Sequence, residues 1–240
     1  MDKKELVKKY LSQYAPALAT DEIISKFVLL MQELIEWNQK FNLTSITDET
    51  GIVIRHFIDS LQPEILGITS QYKTIIDIGT GAGFPGIPLA IANKKLKVFL
   101  MESNGKKIKF LKHMVETLGQ DNIFILEGRA EDFSRKYEHR DKYDAVIMRA
   151  ISNFNIAMEI SCALVKHHGQ ILFYASGKQK EEISDEGKLY RELKLEMAHI
   201  EDYELPENYG NHSIIILDKL LRTPDKYPRV YNMIKAKPLV

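Results

Sequence analysis

The spacing of apolar residues divides the chain into a helical beginning and a longer, alternating remainder. Over residues 20–34, after a helix-capping threonine, apolar side chains recur every three or four residues, as in a helix with one buried face. A second stretch with this period covers residues 48–61 and stops at Pro63. Both stripes need a partner surface, so we expect residues 1–62 to form a helical extension packed on the domain that follows.

From Lys73 onward, short apolar runs alternate with stretches of helical period. The runs predict seven strands, over residues 73–79, 97–102, 122–128, 143–150, 170–176, 200–205 and 212–219. The stretches between them predict four helices, one beginning at residue 87 and the others over residues 104–118, 153–168 and 180–198. Repeated strand–helix units indicate a parallel, doubly wound α/β sheet. The last two strands leave no room for a helix between them, which predicts one antiparallel strand.

Seven strands that end in this way resemble the class I methyltransferase architecture, a Rossmann-like fold. We therefore expect three parts: the extension over residues 1–62, an α/β domain over 63–220 and a tail over 221–240. The chain of 240 residues is 45% apolar, enough for a domain of this size with an appendage.

Charge and cysteine content narrow the functional classes only slightly. The net charge is zero, but residues 219–240 contain six Lys or Arg and one Asp, so that segment carries +5 and the remainder carries −5. Such a segment is either a solvated tail or a contact surface for nucleic acid. The single cysteine, Cys162, allows no disulfide within the chain. The charged beginning of the chain and the lack of a long apolar run predict a cytoplasmic protein.

The most informative motif is the glycine-rich turn after the first predicted strand, Asp77-Ile-Gly79-Thr-Gly81-Ala-Gly83-Phe84-Pro-Gly86. Glycines let the backbone bend tightly there and let a ligand approach without interference from a Cβ atom. The start of the following helix favours a carboxylate or phosphate group. Glu102, at the end of the next strand, is placed to accept hydrogen bonds from two ribose hydroxyls. Together these features predict a nucleoside-like ligand.

Two ligands satisfy this turn. Residues 81–86 also match the dinucleotide fingerprint of nicotinamide-dependent oxidoreductases, although a lone match of that kind is weak. The acidic run from Arg129 to Asp132 after the third strand favours S-adenosylmethionine, and so does the final antiparallel pair.

In its ordered set of motifs the chain resembles the small-subunit ribosomal RNA methyltransferase G family (RsmG, also called GidB). The matching pieces are Asn42-Leu-Thr-Ser-Ile46, His56-Phe-Ile-Asp-Ser60, Asp77 to Pro88, Glu102 with Lys106-Lys107, Arg129-Ala-Glu131, Met148-Arg-Ala150, Lys226-Tyr-Pro-Arg229 and Pro238-Leu239. They span nearly the whole chain. The resemblance implies methylation of N7 of one guanosine in a conserved loop of 16S ribosomal RNA, with S-adenosylmethionine as cofactor.

The resemblance also implies roles for individual residues. The predicted cofactor contacts are Asp77, Gly79, Gly81, Gly83, Phe84, Glu102, Ala130, Glu131 and Arg149. The predicted RNA contacts are Arg55, His56, Lys178, Arg222, Lys226 and Arg229. Arg149 is also the candidate catalytic residue, able to meet the cofactor carboxylate, an RNA phosphate or the guanine edge. We expect no metal, a monomer, and ribosomal RNA or the small ribosomal subunit as partner.

The chemistry of guanine N7 explains why no catalytic dyad is evident. N7 carries an available lone pair, so no proton has to leave before the methyl group is transferred. The enzyme then needs positioning and exclusion of water more than a strong base. Three alternatives stay open: a nicotinamide-dependent oxidoreductase, a non-catalytic S-adenosylmethionine-binding protein, and a methyltransferase acting on another RNA, a protein or a small molecule.

Overall fold

A single mixed sheet of seven strands organises the protein. The computed structural model describes residues 2–183 and 187–239, and the strands lie in the order β3-β2-β1-β4-β5-β7-β6. They span Thr74–Ile78 (β1), Lys97–Glu102 (β2), Ile123–Glu127 (β3), Tyr143–Met148 (β4), Val165–Ser176 (β5), Leu195–Glu204 (β6) and Asn211–Lys219 (β7). Strands β1 to β5 pair in parallel, whereas β7 runs antiparallel to both β5 and β6. The predicted fold class, with its one antiparallel strand, is therefore confirmed.

Helices cover both faces of this sheet. The α-helices are Lys3–Tyr14 (α1), Asp21–Phe41 (α2), Glu49–Gly51 (α3), Gln62–Ile65 (α4), Gly86–Ala92 (α5), Gly105–Leu118 (α6), Ala130–Phe133 (α7), Phe154–Ser161 (α8), Gly177–Glu182 (α9), Gly187–Leu193 (α10) and Tyr231–Ala236 (α11). A π-helical segment, Ile52–Ile58, continues α3, and short 3-10 turns lie at Pro16–Leu18 and Ile68–Gln71.

Two apolar cores lie on opposite faces of the sheet. On one face, α1, α2 and the π-helical segment pack together with α5 and α6. On the other face, α7, α8, α10 and α11 pack against the sheet. The predicted cap is present on α2, where the Thr20 side chain accepts a hydrogen bond from the Ile23 N–H. The N-terminal helices are thus joined to the α/β domain through a continuous core.

The helix predicted over residues 153–168 is wrong in its second half. Helix α8 ends at Ser161, and β5 already begins at Val165, where it pairs with Tyr143 of β4. Gly169, the residue that follows the predicted helix, lies inside β5, and a Cβ atom there would fall 2.6 Å from the Asp144 carbonyl oxygen. A short apolar run fits a buried strand as well as a helix, and here pairing with β4 decides.

The predicted helix over residues 180–198 is also shorter in the structure. Helices α9 and α10 cover parts of it, and residues 184–186 lie outside the described part of the chain. Lys194 has a φ of +62°, which ends α10, and β6 starts at the next residue. Pairing with β7 along its whole length makes β6 longer than the predicted strand over residues 200–205.

Candidate functional site

The glycine-rich turn leaves β1 at the carboxyl edge of the sheet and is fastened by a buried carboxylate. Asp77 Oδ2 accepts hydrogen bonds from the Thr80 hydroxyl at 2.6 Å and from the Gly86 N–H at 2.8 Å. Burial raises the pKa of Asp77 to about 6, although these two hydrogen bonds act in the opposite direction. Asp77 therefore holds the turn in shape, and its predicted contact with a cofactor stays a prediction.

The glycines of this turn serve different purposes. Gly79, Gly81 and Gly83 all have positive φ angles, of +68°, +64° and +90°. A Cβ atom on Gly83 would fall 2.2 Å from Ile87 Cδ1, so this glycine is needed for packing. A Cβ atom on Gly79 would meet nothing within 4 Å, and one on Gly81 would lie 3.7 Å from Lys107 Nζ. Gly79 is thus the point where the turn is open to a ligand.

A cleft begins at Gly79 and crosses the carboxyl ends of β1, β2 and β3. Four predicted cofactor residues line it: Gly79, Glu102, Ala130 and Glu131. Glu102 Oε2 accepts from the Gly81 N–H at 3.0 Å, and Oε1 accepts from the N–H groups of Ser103 and Asn104 at 2.8 Å each. A carboxylate has about four acceptor sites, so these bonds fix its direction and leave room for a ribose hydroxyl.

Glu131 gives the cleft a second acidic group. Only 7% of its surface is exposed, and its Oε1 has no hydrogen-bond partner among the described residues. The Arg129 guanidinium is 4.0 Å away from this oxygen. A buried acceptor without a partner is costly, and a ligand N–H at this point would remove that cost. The residues therefore fit the adenosine part of a nucleoside cofactor.

Tyr231 belongs to this cleft although its place was not predicted. Its ring lines the cleft and lies under the Arg129 guanidinium, 5.3 Å from the ring centroid. On the sequence, Tyr231 is interpreted either as an RNA-stacking residue or as a ring docked on the core. The sequence carries no pattern that brings the first residue of α11 to the end of β3.

Arg149 lies on the other side of the glycine turn, beside Phe84. Its Nη1 donates to Asp59 Oδ2 at 2.8 Å and to the Arg55 carbonyl at 2.9 Å. The guanidinium carbon lies 5.7 Å from the centroid of the Phe84 ring. Asp59 also accepts from the Tyr203 hydroxyl at 2.6 Å. The structure thus brings Arg149 and Phe84 together but ties Arg149 firmly to the N-terminal segment.

This pairing corrects a contact expected within the N-terminal helix. The spacing of Arg55 and Asp59 suggested an ion pair across one helical turn. Asp59 instead pairs with Arg149, and the Arg55 guanidinium lies 5.2 Å from the centroid of the Tyr209 ring. Arg55 is exposed, as an RNA contact should be.

His56 is placed in the interior rather than on an RNA-facing surface. Its ring is 8% exposed and stacks on the Phe84 ring, with centroids 4.4 Å apart and an angle of 8°. His56 Nε2 lies 2.9 Å from Thr44 Oγ1, within the predicted 42–46 motif. Burial, then the charges of Arg149 and Arg55, lower the pKa of His56 to about 3. A neutral imidazole at this position suits a structural contact with Phe84 better than a phosphate contact.

The sequence is similar to those of known proteins along most of its length. The sequence model of the family described as rRNA small subunit methyltransferase G matches residues 23–209. The chain belongs to this family. A ribosomal RNA small subunit methyltransferase G from Thermoanaerobacter sp. is 40% identical over 206 residues, 86% of each chain. One from Geobacillus sp. is 36% identical over 220 residues, 92% of each chain.

Solved structures agree on the fold. A provisionally assigned O-methyltransferase from Klebsiella pneumoniae superposes with a TM-score of 0.58 at 14% identity, covering 90% of this chain and 96% of that one. At this identity the likeness shows the class I methyltransferase fold alone.

In this methyltransferase G family member, the predicted RNA contacts of the tail already have acidic partners. Arg229 binds buried Glu159 through two side-chain hydrogen bonds of 2.8 and 2.6 Å, and its backbone N–H adds a third at 3.0 Å. Lys226 pairs with Glu192 at 3.0 Å. Arg222 pairs with Asp141 and Asp225 at 3.4 and 3.1 Å. Lys178 is exposed in the first turn of α9. Their RNA contacts stay predictions.

Metal binding and membrane insertion each require recognisable groups of residues. Within residues 2–183 and 187–239, no three His, Cys, Asp or Glu side chains come together in a group able to hold a metal ion. None of the helices in that part of the chain has the length and apolar character needed to cross a membrane.

Proposed function

We propose that this protein transfers a methyl group from S-adenosylmethionine to N7 of one guanosine in the RNA of the small ribosomal subunit. One observation carries the proposal: at the carboxyl edge of the sheet, one cleft is lined by an open glycine, an oriented carboxylate and a buried oxygen that accepts no hydrogen bond from any described residue. Gly79, Glu102 and Glu131 are these three residues. Ligands of open α/β sheets bind at this edge.

We infer the following division of labour in the cleft. Gly79 admits the amino-acid part of the cofactor, Glu102 accepts from its ribose, and Glu131 with the start of α7 meets its adenine edge. When bound, the cofactor supplies an electrophilic methyl group on a sulfonium. The chain itself contributes orientation and exclusion of water, which is sufficient for a nucleophile such as N7 that needs no deprotonation.

We further propose that Arg149 acts mainly as a positioning residue. Its bonds to Asp59 and to the Arg55 carbonyl fix the guanidinium against Phe84. This arrangement supports a role in holding the π-helical segment and the glycine turn at a constant separation. We also propose a cytoplasmic location, a monomeric state and direct RNA contact by Arg222 and Lys226, two exposed basic residues of the tail.

A thermal-shift measurement separates the proposed cofactor from the nicotinamide alternative. S-adenosylhomocysteine should raise the melting temperature, whereas NAD should leave it unchanged. Stabilisation by NAD alone would reject the proposal.

The substrate is tested with small ribosomal subunits purified from cells that lack this gene. Incubation with the protein and labelled S-adenosylmethionine should place one methyl group on one guanosine of the RNA, identified by mass mapping. Label that appears only in protein, or no label at all, would contradict the proposed substrate.

A further inference from the structure

A second cavity adjoins the cofactor cleft at the carboxyl ends of β4 and β5. It is lined by the loop over residues 152–155, by Phe173 of β5 and by Gln179 and Ile183. The cleft and this cavity meet at consecutive residues, because Ile151 lines the cleft and Ser152 lines the cavity. The two hollows therefore share one loop at the carboxyl edge of the sheet.

The loop between the two cavities is held from both sides. Gln179 Nε2 donates to the Ile151 carbonyl at 3.0 Å, while its Oε1 accepts from the Ser176 N–H at 3.2 Å. On the other side, Asn155 Nδ2 donates to the Leu239 carbonyl at 2.7 Å. These bonds fix the loop before any substrate arrives, which is what a recognition site requires.

Asn153 presents one defined amide atom to this cavity. Its Oδ1 accepts from the Ile156 N–H at 2.9 Å and so caps α8. That bond identifies which amide atom is oxygen, and it leaves Nδ2 as the outward-facing group of an exposed side chain. The cavity therefore carries a hydrogen-bond donor at its rim.

Two buried aromatic rings border this cavity: Phe154 is 7% exposed and Phe173 is fully buried. Phe154 and Phe173 meet edge to face, with centroids 5.2 Å apart at 87°. A rigid aromatic residue beside a polar rim suits a planar base that presents its edge to the amide. Recognition of unstacked RNA bases combines these same two elements.

Building on the proposed function, we propose that this cavity seats the target purine and that Asn153 Nδ2 donates a hydrogen bond to guanine O6. O6 is the acceptor next to N7 on the same edge of the base, so a donor beside the cleft directs N7 towards the cofactor. Adenine carries an amino group in place of O6, and that donor would oppose the amide. Asn153 is thus a specificity-determining residue for guanine.

Two substitutions test the donor without removing the helix cap. Asn153→Ser keeps a good capping residue but loses the amide, and Asn153→Asp keeps both cap and shape but replaces the donor by an acceptor. With small subunits from the deletion strain, kcat/KM should fall about tenfold for the Ser variant and about a hundredfold or more for the Asp variant. Thr20→Ser, which keeps a cap on remote α2, is the matched control and should match the wild type.

A second readout separates this inference from the proposed function. Calorimetric affinity for S-adenosylhomocysteine should stay within about twofold of the wild type in both variants. Unchanged kcat/KM in the Asp variant would overturn the role of Asn153 and leave the proposed function standing. Loss of S-adenosylhomocysteine affinity in parallel with activity would overturn it too, because the loop would then belong to the cofactor cleft. If the wild-type protein methylates no guanosine, the proposed function itself fails.

Discussion

The cofactor cleft and the basic tail both contain charged residues. The fold leaves a charged group available in the cleft but pairs charged groups of the tail with carboxylates. In the cleft, Glu131 is buried with one oxygen that lacks a hydrogen-bond partner among the described residues. In the tail, Arg229 is matched by a carboxylate that is completely buried, Glu159. Lys219, counted on the sequence among the basic residues of this segment, is itself buried, and it donates to the Cys162 carbonyl at 2.6 Å.

The difference teaches that charge in a sequence does not show whether a group is available. A carboxylate at a strand end and an arginine in a basic segment both suggest binding. In this fold only the carboxylate keeps an oxygen that has no hydrogen-bond partner among the described residues. The following experiments test that contrast.

The largest effect is expected for Arg229→Ala. Removing this guanidinium leaves the carboxylate of Glu159 buried without its partner, which should reduce the free energy of unfolding by about 3–5 kcal/mol. Urea unfolding at pH 7 measures the change. Lys226→Ala is the control, because both partners of its pair with Glu192 are exposed and such pairs contribute about 0–1 kcal/mol. Equally small decreases in the free energy of unfolding in both variants would mean that the tail is solvated and is not held by Glu159.

The next largest effects are expected for alanine substitutions at two glycines of the glycine-rich turn. Alanine at Gly79 or at Gly83 adds about 1–2 kcal/mol of backbone strain because both have positive φ. Only at Gly83 does the new methyl group also collide with Ile87, which should cost a further ~1–3 kcal/mol. Gly79→Ala should therefore be the more stable variant in urea unfolding, yet it should show the weaker S-adenosylhomocysteine affinity among molecules that remain folded. The opposite order of stability would mean that Gly79 does not face open space.

Glu131→Ala tests whether the acidic residue of the cleft serves ligand binding and not stability. Because Oε1 has no hydrogen-bond partner among the described residues, removing the carboxylate should leave stability unchanged or slightly higher. Affinity for S-adenosylhomocysteine should fall by about 1–2 kcal/mol, roughly tenfold, as measured by calorimetry. Glu131→Gln, which retains an acceptor oxygen, should lose less. A stability loss like that of Arg229→Ala would place Glu131 among the structural residues.

A further effect is a dependence of stability on pH that originates at His56. Burial lowers its pKa from 6.5 to about 3, so between these values the unfolded chain binds a proton that the folded chain excludes. Stability should therefore fall as the pH falls below 6.5, by about 1.4 kcal/mol per pH unit from this site. His56→Phe keeps a stacking ring and should lack this contribution between pH 6.5 and 4.5. An unchanged pH dependence in His56→Phe would contradict this assignment.

Local pattern was sufficient to predict the number of strands and their order along the chain, the glycine turn and four residues that line the cleft. Gly79, Glu102 and Glu131 each lie at or shortly after the carboxyl end of a strand, and the carboxyl ends of parallel strands meet at one edge. Contacts between distant parts of the chain were not predictable in this way. Arg149 meets Asp59 across 90 positions, and Tyr203 reaches the same carboxylate across 144. Periodicity contains no information on such pairings, and helical spacing alone would pair Asp59 with Arg55.

Stacking of His56 on Phe84 has a practical consequence for anyone who wishes to reuse this turn. The lower ring comes from the α/β domain, and its cover comes from a segment that precedes the sheet. In a truncated chain that starts at β1, or in another protein that carries the grafted glycine turn, the Phe84 ring would lose its cover. Such a design has to include His56 together with Thr44, whose hydroxyl contacts the imidazole.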